Sequence, residues 1–187
     1  MKKLKATLLI LLITSFCHAQ SQRGSGSGCG LSVSIYQDAR LMFLGDQDHN
    51  IDKGTLDLVL RVKMEGYQDR YGYFVVYPEF EYAEIEGIYK RYSVNVGYVL
   101  NQLPVKDFEL GFGIGWGWID RYGKSMFSFA GTSNLSYKIT DNIKLSLLGQ
   151  ITERKDLAVM WGNKGLNFKE DGILRFSGMI GLEYKFK

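Results

Sequence analysis

The sequence has few of the residues that cross-link small exported proteins or carry most enzyme chemistry. Its 187 residues include only two cysteines, two prolines and two histidines. Once an N-terminal secretion signal is removed, Cys29 is the only cysteine left, so the fold must form without an internal disulfide. Cys29 lies in a glycine- and serine-rich lead-in, and the alternative role for it is an intermolecular disulfide.

Long apolar runs are also lacking. The stretch Ala6 to Ile13 is shorter than the roughly twenty residues that a membrane-spanning helix needs. Three lysines precede it and the small residue Ala19 closes it, which predicts a signal peptide over 1–19. The alternative is lipid attachment at Cys17 after cleavage in front of it, but the bulky Phe16 disfavours that reading.

An excess of positive charge is missing from the mature chain. The whole sequence has 23 basic and 20 acidic residues, a formal charge of +3. The predicted signal contains three of the lysines, and removing them leaves 20 basic residues to balance the 20 acidic ones. The basicity is therefore a targeting feature, and nothing indicates a nucleic-acid partner.

A strict alternation of two residue types is what the sequence does contain. Apolar Phe108, Leu110, Phe112, Ile114, Trp116 and Trp118 alternate with Glu109, Gly111, Gly113, Gly115 and Gly117. A period of two is that of a β-strand, whose side chains point to opposite faces in turn. Eight strands are predicted in one domain over 30–187, after a lead-in over 20–29. They span 31–44, 55–65, 71–82, 89–100, 108–119, 126–138, 143–154 and 173–186.

The fold class follows from strand length, connectors and glycine. Strands of ten to fourteen residues suit a tilted membrane crossing, which takes about nine to eleven. Short connectors alternate with longer ones, as in barrels with short periplasmic turns and long outer loops. Four glycines on one strand face fit a narrow lumen better than a water-exposed surface. The prediction is an all-β, eight-stranded antiparallel up-and-down transmembrane β-barrel. The soluble alternative is a periplasmic, lipocalin-like carrier of an apolar ligand, with its apolar face inward.

Two local features qualify this prediction. Pro78 falls inside the third strand, where it removes a ladder donor, so a bulge or an earlier strand end is expected there. Aromatic residues cluster toward the strand ends, which predicts two girdles at the membrane interfaces. The outer group is Tyr82, Tyr89, Tyr92, Trp118, Tyr122, Phe127 and Trp161. The inner group is Tyr98, Phe108, Tyr137, Tyr184 and Phe186.

The final strand alternates from Leu174 to Phe186, one residue before the end of the sequence. In this respect the chain resembles the small eight-stranded outer-membrane barrels, such as the OmpA membrane domain and OmpX. Its Ala19–Gln20 junction and overall sequence resemble those of Bacteroidota proteins. The resemblance implies location in the outer membrane of a Gram-negative bacterium. It also implies that Phe186 is the insertion signal read by the barrel assembly machinery, although Lys187 follows it.

Side chains at alternate positions of each strand point into the lumen, and we call this alternation the inward parity. The inward positions include both acidic and basic residues. The predicted interior network comprises Arg61, Lys63, Glu79, Glu81, Arg91, Glu109 and Arg175. The same parity directs Asp38, Arg40, Asp57, Glu65, Lys144, Arg154, Glu183 and Lys185 inward. Charges in a low-dielectric lumen must be paired, and side chains just fill an eight-stranded barrel. We therefore expect a plugged interior, with a structural role or an interaction role through the outer loops.

Catalysis and cofactors are not expected. Lipid-modifying outer-membrane enzymes of similar size are the enzymatic alternative, but their chemistry needs a histidine beside a nucleophile. His49 is the only histidine outside the predicted signal, and it lies in the first outer loop. Glu79 and Glu81 could form an acid–base pair, yet their basic neighbours favour ion pairs.

Two outer loops carry the remaining hypotheses. Oxygen ligands alternate in the first loop, which partly imitates a calcium-binding loop but lacks its glycine and closing glutamate. These candidate ligands are Asp46, Asp48, Asn50 and Asp52. The last loop is unusually apolar, and with Tyr122 its Trp161 and Phe168 form a candidate docking surface for an envelope protein or lipopolysaccharide. Membrane lipids are the other expected partner.

Overall fold

The strands and one short helix are seen in a computed structural model. It describes residues 30–45, 52–85, 88–154, 156 and 174–186. The elements are β1 (Leu31–Asp38), α1 (Ala39–Phe43), β2 (Asp57–Gln68), β3 (Gly72–Ala83), β4 (Tyr89–Leu100), β5 (Phe108–Arg121), β6 (Lys124–Lys138), β7 (Ile143–Glu153) and β8 (Leu174–Lys185). Six of the strands have twelve or more residues, which is long enough to cross a membrane.

The eight strands form one closed barrel in chain order. Each strand is antiparallel to the next, and β1 closes the sheet against β8, with Ser32 opposite Lys185 and Asp38 opposite Met179. Along the paired residues closure leaves no sheet edge, so backbone donors and acceptors there are satisfied between strands even where no water is present. β8 alone extends beyond its last pair with β1, from Gly178 to Leu174. The predicted eight-stranded up-and-down barrel is confirmed.

The two rims of the barrel differ. The inner rim carries residues 30 and 186 and the turns 69–71, 101–107 and 139–142. The outer rim carries α1, residues 84, 85 and 88, and the tight turn at Tyr122 and Gly123, both of which have positive φ. In barrels of this kind the short turns usually lie in the periplasm, and the two-residue turn between β5 and β6 is an exception at the outer rim.

The first strand is shorter than predicted. A strand over 31–44 was expected, but β1 ends at Asp38, whose carboxylate Oδ1 accepts a hydrogen bond of 2.9 Å from the Leu41 amide. This N-cap satisfies a free backbone donor and starts α1. The change from a strand to a helix also breaks the parity, so Arg40 is exposed and its predicted inward direction is wrong.

The apolar faces of the strands point outward. On β5, Ile114 is 64% exposed and Trp118 53% exposed, whereas the alternate glycines at 111, 115 and 117 are buried. Large exposed apolar side chains continue around the wall on β6, β7 and β8. An apolar exterior around a charged interior is the arrangement that a bilayer requires. It contradicts the soluble-carrier alternative, which needs the apolar face inside.

The glycines of β5 make room for side chains from neighbouring strands. The Tyr77 hydroxyl crosses above Gly113 to reach Thr132 Oγ1 on β6, at 2.9 Å. A Cβ atom at Gly117 would collide with the Tyr92 carbonyl oxygen and lie 2.7 Å from Ser93 Cα, both of which are backbone atoms. The strip of glycines thus lets strands and side chains approach closely inside a narrow lumen.

Pro78 is accommodated without the predicted bulge or early strand end. It lies within β3 and faces Val94 of β4 in an unbroken register. On the β2 side the paired residues are Arg61 with Glu79 and then Met64 with Val76, so the ladder skips the positions at Pro78 without changing register. The register shift in that ladder lies between Glu65 and Gln68, close to the inner rim.

Aromatic pairs lie at both rims. Trp118 contacts Phe127 at the outer rim with ring centroids 5.9 Å apart, and Phe108 contacts Tyr137 at the inner rim at 5.0 Å. Tyr89 is an exception to the predicted outer girdle, since it is fully buried and points into the barrel. Within the described residues, no helix is long and apolar enough to span a membrane.

We expect Gly117→Ala to destabilise the barrel by about 1–3 kcal/mol, because the new methyl group meets backbone that cannot move aside. Gly131→Ala is the matched control: no atom lies within 4 Å of its added Cβ. That substitution should stabilise the strand by about 0.5–1 kcal/mol. Urea titration of both variants refolded in lipid vesicles measures the difference, and equal midpoints would contradict the close-approach account.

Candidate functional site

The centre of the lumen contains four charged side chains from three neighbouring strands, which we call the central network: Arg61, Glu79, Glu81 and Arg91. Glu79 Oε2 accepts a hydrogen bond from Arg61 Nε, and Glu79 Oε1 accepts one of 2.7 Å from Arg91 Nη1. Arg91 Nη1 also lies 3.3 Å from Glu81 Oε2. Arg61 stands directly opposite Glu79 on adjacent strands, and Glu81 stands opposite Arg91. Sheet register therefore sets the pairing.

Aromatic rings enclose the central network. The guanidinium carbon of Arg61 lies 5.2 Å from the ring centroid of Tyr36 and 4.9 Å from that of Tyr77. A guanidinium cation between two ring faces is stabilised by the ring quadrupoles, and more strongly where water is excluded. Tyr36 and Tyr77 are themselves buried, so this arginine is held on several sides.

A second set of pairs, the inner-rim network, lies below the central one and comprises Lys63, Glu109, Lys144 and Glu183. Lys63 Nζ is 2.7 Å from Glu183 Oε1, and Lys144 Nζ is 2.7 Å from Glu109 Oε2 and 3.6 Å from Glu183 Oε1. The Tyr73 hydroxyl donates to Glu109 at 3.1 Å. Lysine and glutamate thus alternate across the lumen, in the order Lys63 on β2, Glu183 on β8, Lys144 on β7 and Glu109 on β5.

A third set, the outer-rim clamp, comprises Arg121, Arg154 and Asp156. Arg154 binds both carboxylate oxygens of Asp156 at 2.8 Å, and Arg121 adds a contact of 3.0 Å. Burial opposes ionisation of Asp156, but hydrogen bonds and positive charge from the two arginines hold its pKa below the ordinary value. Arg154 also lies 4.0 Å from the ring centroid of Tyr89.

An apolar cluster lies beside the clamp and fills the outer mouth. Its members are Leu41 from α1 with Ala83, Ile85, Tyr89 and Ile119 from the strands and connector around it. Each is at most 9% exposed. Burial of these side chains in one cluster is favoured by the hydrophobic effect, which holds α1 over the lumen.

A small cavity of about 30 Å³ remains between the central and inner-rim networks. Arg61, Lys63, Tyr77 and Glu183 are among its lining residues. This volume has room for about one or two water molecules and is far below the several hundred Å³ of a typical ligand pocket. The cavity therefore does not fit an organic substrate.

The predicted interior residues can now be placed. Six of them, Arg61, Lys63, Glu79, Glu81, Arg91 and Glu109, are buried and lie in two separate networks. Arg175 is half-buried near the outer end of β8. The sequence analysis missed the clamp residues Arg121 and Asp156. Arg121 continues the alternation of inward residues on β5 and could have been predicted from it. Asp156 lies beyond the end of β7, where no alternation indicates the direction of its side chain.

The loop and terminal candidates are only partly described. Tyr122 is 51% exposed at the outer rim, and Asp52 is exposed. The residues Asp46, Asp48, His49, Asn50, Trp161, Phe168, the signal 1–19 and the lead-in with Cys29 lie outside the described residues. Calcium binding by the first loop and the insertion role of Phe186 stay predictions. In the described part of the chain, no cluster of three or more His, Cys, Asp or Glu could hold a metal.

Comparison with known proteins gives matches in structure only. No protein-family model and no curated protein matches the chain. The outer-membrane protein Ail of Yersinia pestis, determined in a phospholipid bilayer nanodisc, is 18% identical with a TM-score of 0.52. That match covers 86% of this chain and 100% of Ail. Neisserial surface protein A is 12% identical with a TM-score of 0.48, covering 86% of this chain and 98% of its own. A de novo designed transmembrane β-barrel is 13% identical with a TM-score of 0.48, covering 87% and 98%.

The fold is that of a small eight-stranded outer-membrane barrel. At 18% identity the similarity to Ail supports the fold and does not extend to activity. The predicted outer-membrane location agrees with this fold and with the apolar outer wall.

We expect Glu79→Gln to destabilise the barrel by about 3–5 kcal/mol, because it removes the carboxylate that pairs with buried Arg61 and leaves Arg91 with the 3.3 Å contact to Glu81. Glu65→Gln is the matched control. Glu65 pairs at 2.6 Å with Lys185, whose side chain is 35% exposed at the inner rim, so its loss should cost less than about 1 kcal/mol. Urea unfolding in lipid vesicles compares the two, and equal losses would contradict the central role of Glu79.

Proposed function

We propose that this protein is a closed outer-membrane scaffold, with a plugged lumen and a structural or interaction role exercised at its outer rim. The observation that carries the proposal is the stack of buried ion pairs at three levels of the lumen. The central network, the inner-rim network and the outer-rim clamp each contain side chains that are largely or completely buried.

The plug follows from the width of the barrel and the signs of its charges. An eight-stranded barrel has a lumen that its own side chains can fill. A passing ion would have to separate Glu79 from Arg61 and Arg91, or Lys144 from Glu109, inside a medium of low dielectric constant. Breaking such buried pairs is strongly unfavourable, and both signs are present at every level, so neither cations nor anions have a continuous path of one sign.

Negligible ion conductance is the expected result for the refolded protein in planar lipid bilayers. The barrel should show no stable single-channel steps across the range of voltages that such membranes tolerate, because each level of the lumen is closed by paired side chains. A large porin reconstituted in the same way serves as the positive control. Regular, reproducible current steps from heat-modifiable, correctly folded protein would reject the plugged scaffold.

The exposed position of Tyr122 in a turn at the outer rim supports the interaction role. This residue occupies a two-residue turn at positive φ, with φ values of 50° for Tyr122 and 70° for Gly123. Arg121 Cζ lies 5.6 Å from the centroid of the Tyr122 ring, and the ring is half exposed above β5 and β6. An amphipathic aromatic side chain on a rigid turn is suited to contact another envelope protein or lipopolysaccharide.

Tyr122→Ser should weaken such an interaction without unfolding the barrel. The expected result is a loss of about tenfold or more in the recovery of a cross-linked envelope component, as for removal of an interface anchor worth roughly 1.4 kcal/mol. Tyr71→Ser, which removes an exposed tyrosine at the opposite rim, is the matched control. Cross-linking in intact cells followed by mass spectrometry measures both, and equal recovery in the two variants would contradict a role for Tyr122.

The proposed role is non-catalytic. General acid–base work needs a group that can reach a substrate, whereas Glu79 and Glu81 are buried and engaged with arginines. These observations support a scaffold over a lipid-modifying enzyme.

A further inference from the structure

The cavity between the central and inner-rim networks is bounded by residues from opposite walls of the barrel. Arg61 comes from β2 and Asn134 from β6, which lie four strands apart in a closed sheet of eight. Ser34 of β1, which pairs with Arg61, lines the cavity on one side. Gly111 of β5 and Thr132 of β6 line it on the other side. The cavity therefore separates a wall with charged side chains from a wall of small and neutral polar ones.

Arg61 brings an unused hydrogen-bond donor to this cavity. Its Nε donates to Glu79, and its guanidinium lies beside the rings of Tyr36 and Tyr77. The Nη2 atom is buried and has no hydrogen-bond partner among the described residues. A buried donor on a charged group that finds no acceptor costs more free energy than a neutral one. An acceptor at Nη2 is therefore strongly favoured.

Asn134 brings an unused acceptor to the same cavity. Its Nδ2 donates to Ser136 Oγ at 3.0 Å, and Ser136 Oγ lies 2.8 Å from Ser146 Oγ. The Oδ1 atom of Asn134 is buried, and no donor among the described residues reaches it. An amide oxygen can accept two hydrogen bonds. One small cavity is thus lined on opposite sides by a residue with an unpaired donor and a residue with an unpaired acceptor.

The volume and the charges of the cavity select water as its occupant. About 30 Å³ has room for one or two water molecules. A cation would meet Arg61 and Lys63. An anion would meet the Glu183 carboxylate, and both of these cations already have carboxylate partners. A water molecule is neutral and both donates and accepts, so it can satisfy the two unpaired atoms without adding a charge to the lumen.

We propose that this cavity is a water-binding site, in which one water molecule, or two in series, accepts from Arg61 Nη2 and donates to Asn134 Oδ1. The water bridge joins β2 to β6 across the lumen. It lies beside the direct hydrogen bond between Tyr77 and Thr132, which joins β3 to β6. Bound water thus completes the hydrogen bonding of the arginine at the centre of the proposed plug and connects the two walls of the lumen.

A crystal structure of the unaltered protein, grown in a lipidic mesophase at a resolution that shows ordered water, tests the site directly. We expect one electron-density peak within about 2.7–3.2 Å of both Arg61 Nη2 and Asn134 Oδ1, or two peaks that connect these atoms in steps of that length. A cavity without density, or direct contact of Arg61 Nη2 with a protein acceptor, would overturn the proposal. An anomalous signal at the peak in crystals grown with bromide would also overturn it, since the occupant would then be an anion.

Displacement of the water gives a second measurement. A Cβ atom at Gly111 would lie 3.5 Å from Val99 Cγ2 and 3.7 Å from Asn134 Cβ, both of which are ordinary contacts with residues that line the cavity. Gly111→Ala therefore directs a methyl group into the cavity without moving the backbone. In refolded protein with methyl-labelled valine, we expect nuclear Overhauser effects from water to the methyl groups of Val75 and Val99, and their loss in Gly111→Ala.

Gly131→Ala is the matched control, because Gly131 is exposed and no atom lies within 4 Å of its added Cβ. It should keep the signals of the unaltered protein. Equal signals in all three proteins would overturn the site, because they would then come from exchanging hydroxyl protons such as those of Tyr77 and Thr132. Each variant is first checked for the heat-dependent gel shift of a folded barrel. If Gly111→Ala does not fold, Asn134→Leu takes its place, since it removes the acceptor oxygen.

The water site and the plugged scaffold can fail separately. A cavity without water in a barrel that conducts no ions would reject the water site alone. Current steps through a barrel whose crystal structure shows the bound water would reject the plug alone.

Discussion

The shared carboxylate of Glu79, held between Arg61 and Arg91, is the interaction around which the rest of the lumen is arranged. In a closed barrel of eight strands the lumen has too little space for water to solvate an unpaired charge as bulk solvent does. Each interior charge must therefore meet its partner through the register of the sheet, and Arg61 opposite Glu79 does so directly. Tyr36 and Tyr77 fill the space around the arginine, so charge pairing and packing depend on the same registers.

Glycine couples the wall of the barrel to its contents. Tyr77 can enclose Arg61 because its hydroxyl passes over Gly113 to Thr132, and β5 can approach β4 because Gly117 has no Cβ. A larger residue at either position would move a strand or displace the tyrosine. The small residues of β5 and the large charged residues of β2, β3 and β4 are therefore complementary parts of the proposed plug, although they are far apart in the sequence.

The two ends of the lumen contain different kinds of side-chain contact. Lysine–glutamate pairs lie toward the inner rim, and only Lys138 and the Glu65–Lys185 pair near that end are partly exposed. The outer mouth combines the clamp around Asp156 with an apolar cluster that includes Leu41. This cluster depends on the early end of β1, because Leu41 enters it from α1.

The sequence by itself determined the barrel. Alternation in long segments indicated the strands, and glycine opposite Trp and Phe on β5 indicated which face meets lipid, because both depend on local periodicity. Inward parity also selected most of the buried charges. Parity could not reveal that Asp38 caps a helix or that Pro78 needs no bulge, because these depend on what neighbouring residues offer at each position. The inward direction of Tyr89 agrees with the parity that selected Arg91, two residues later, and it was the assignment of Tyr89 to the outer girdle that was wrong. The pairing of Arg121 with Asp156 was decided only by the tertiary structure, since Arg121 ends β5 and Asp156 comes from beyond the end of β7.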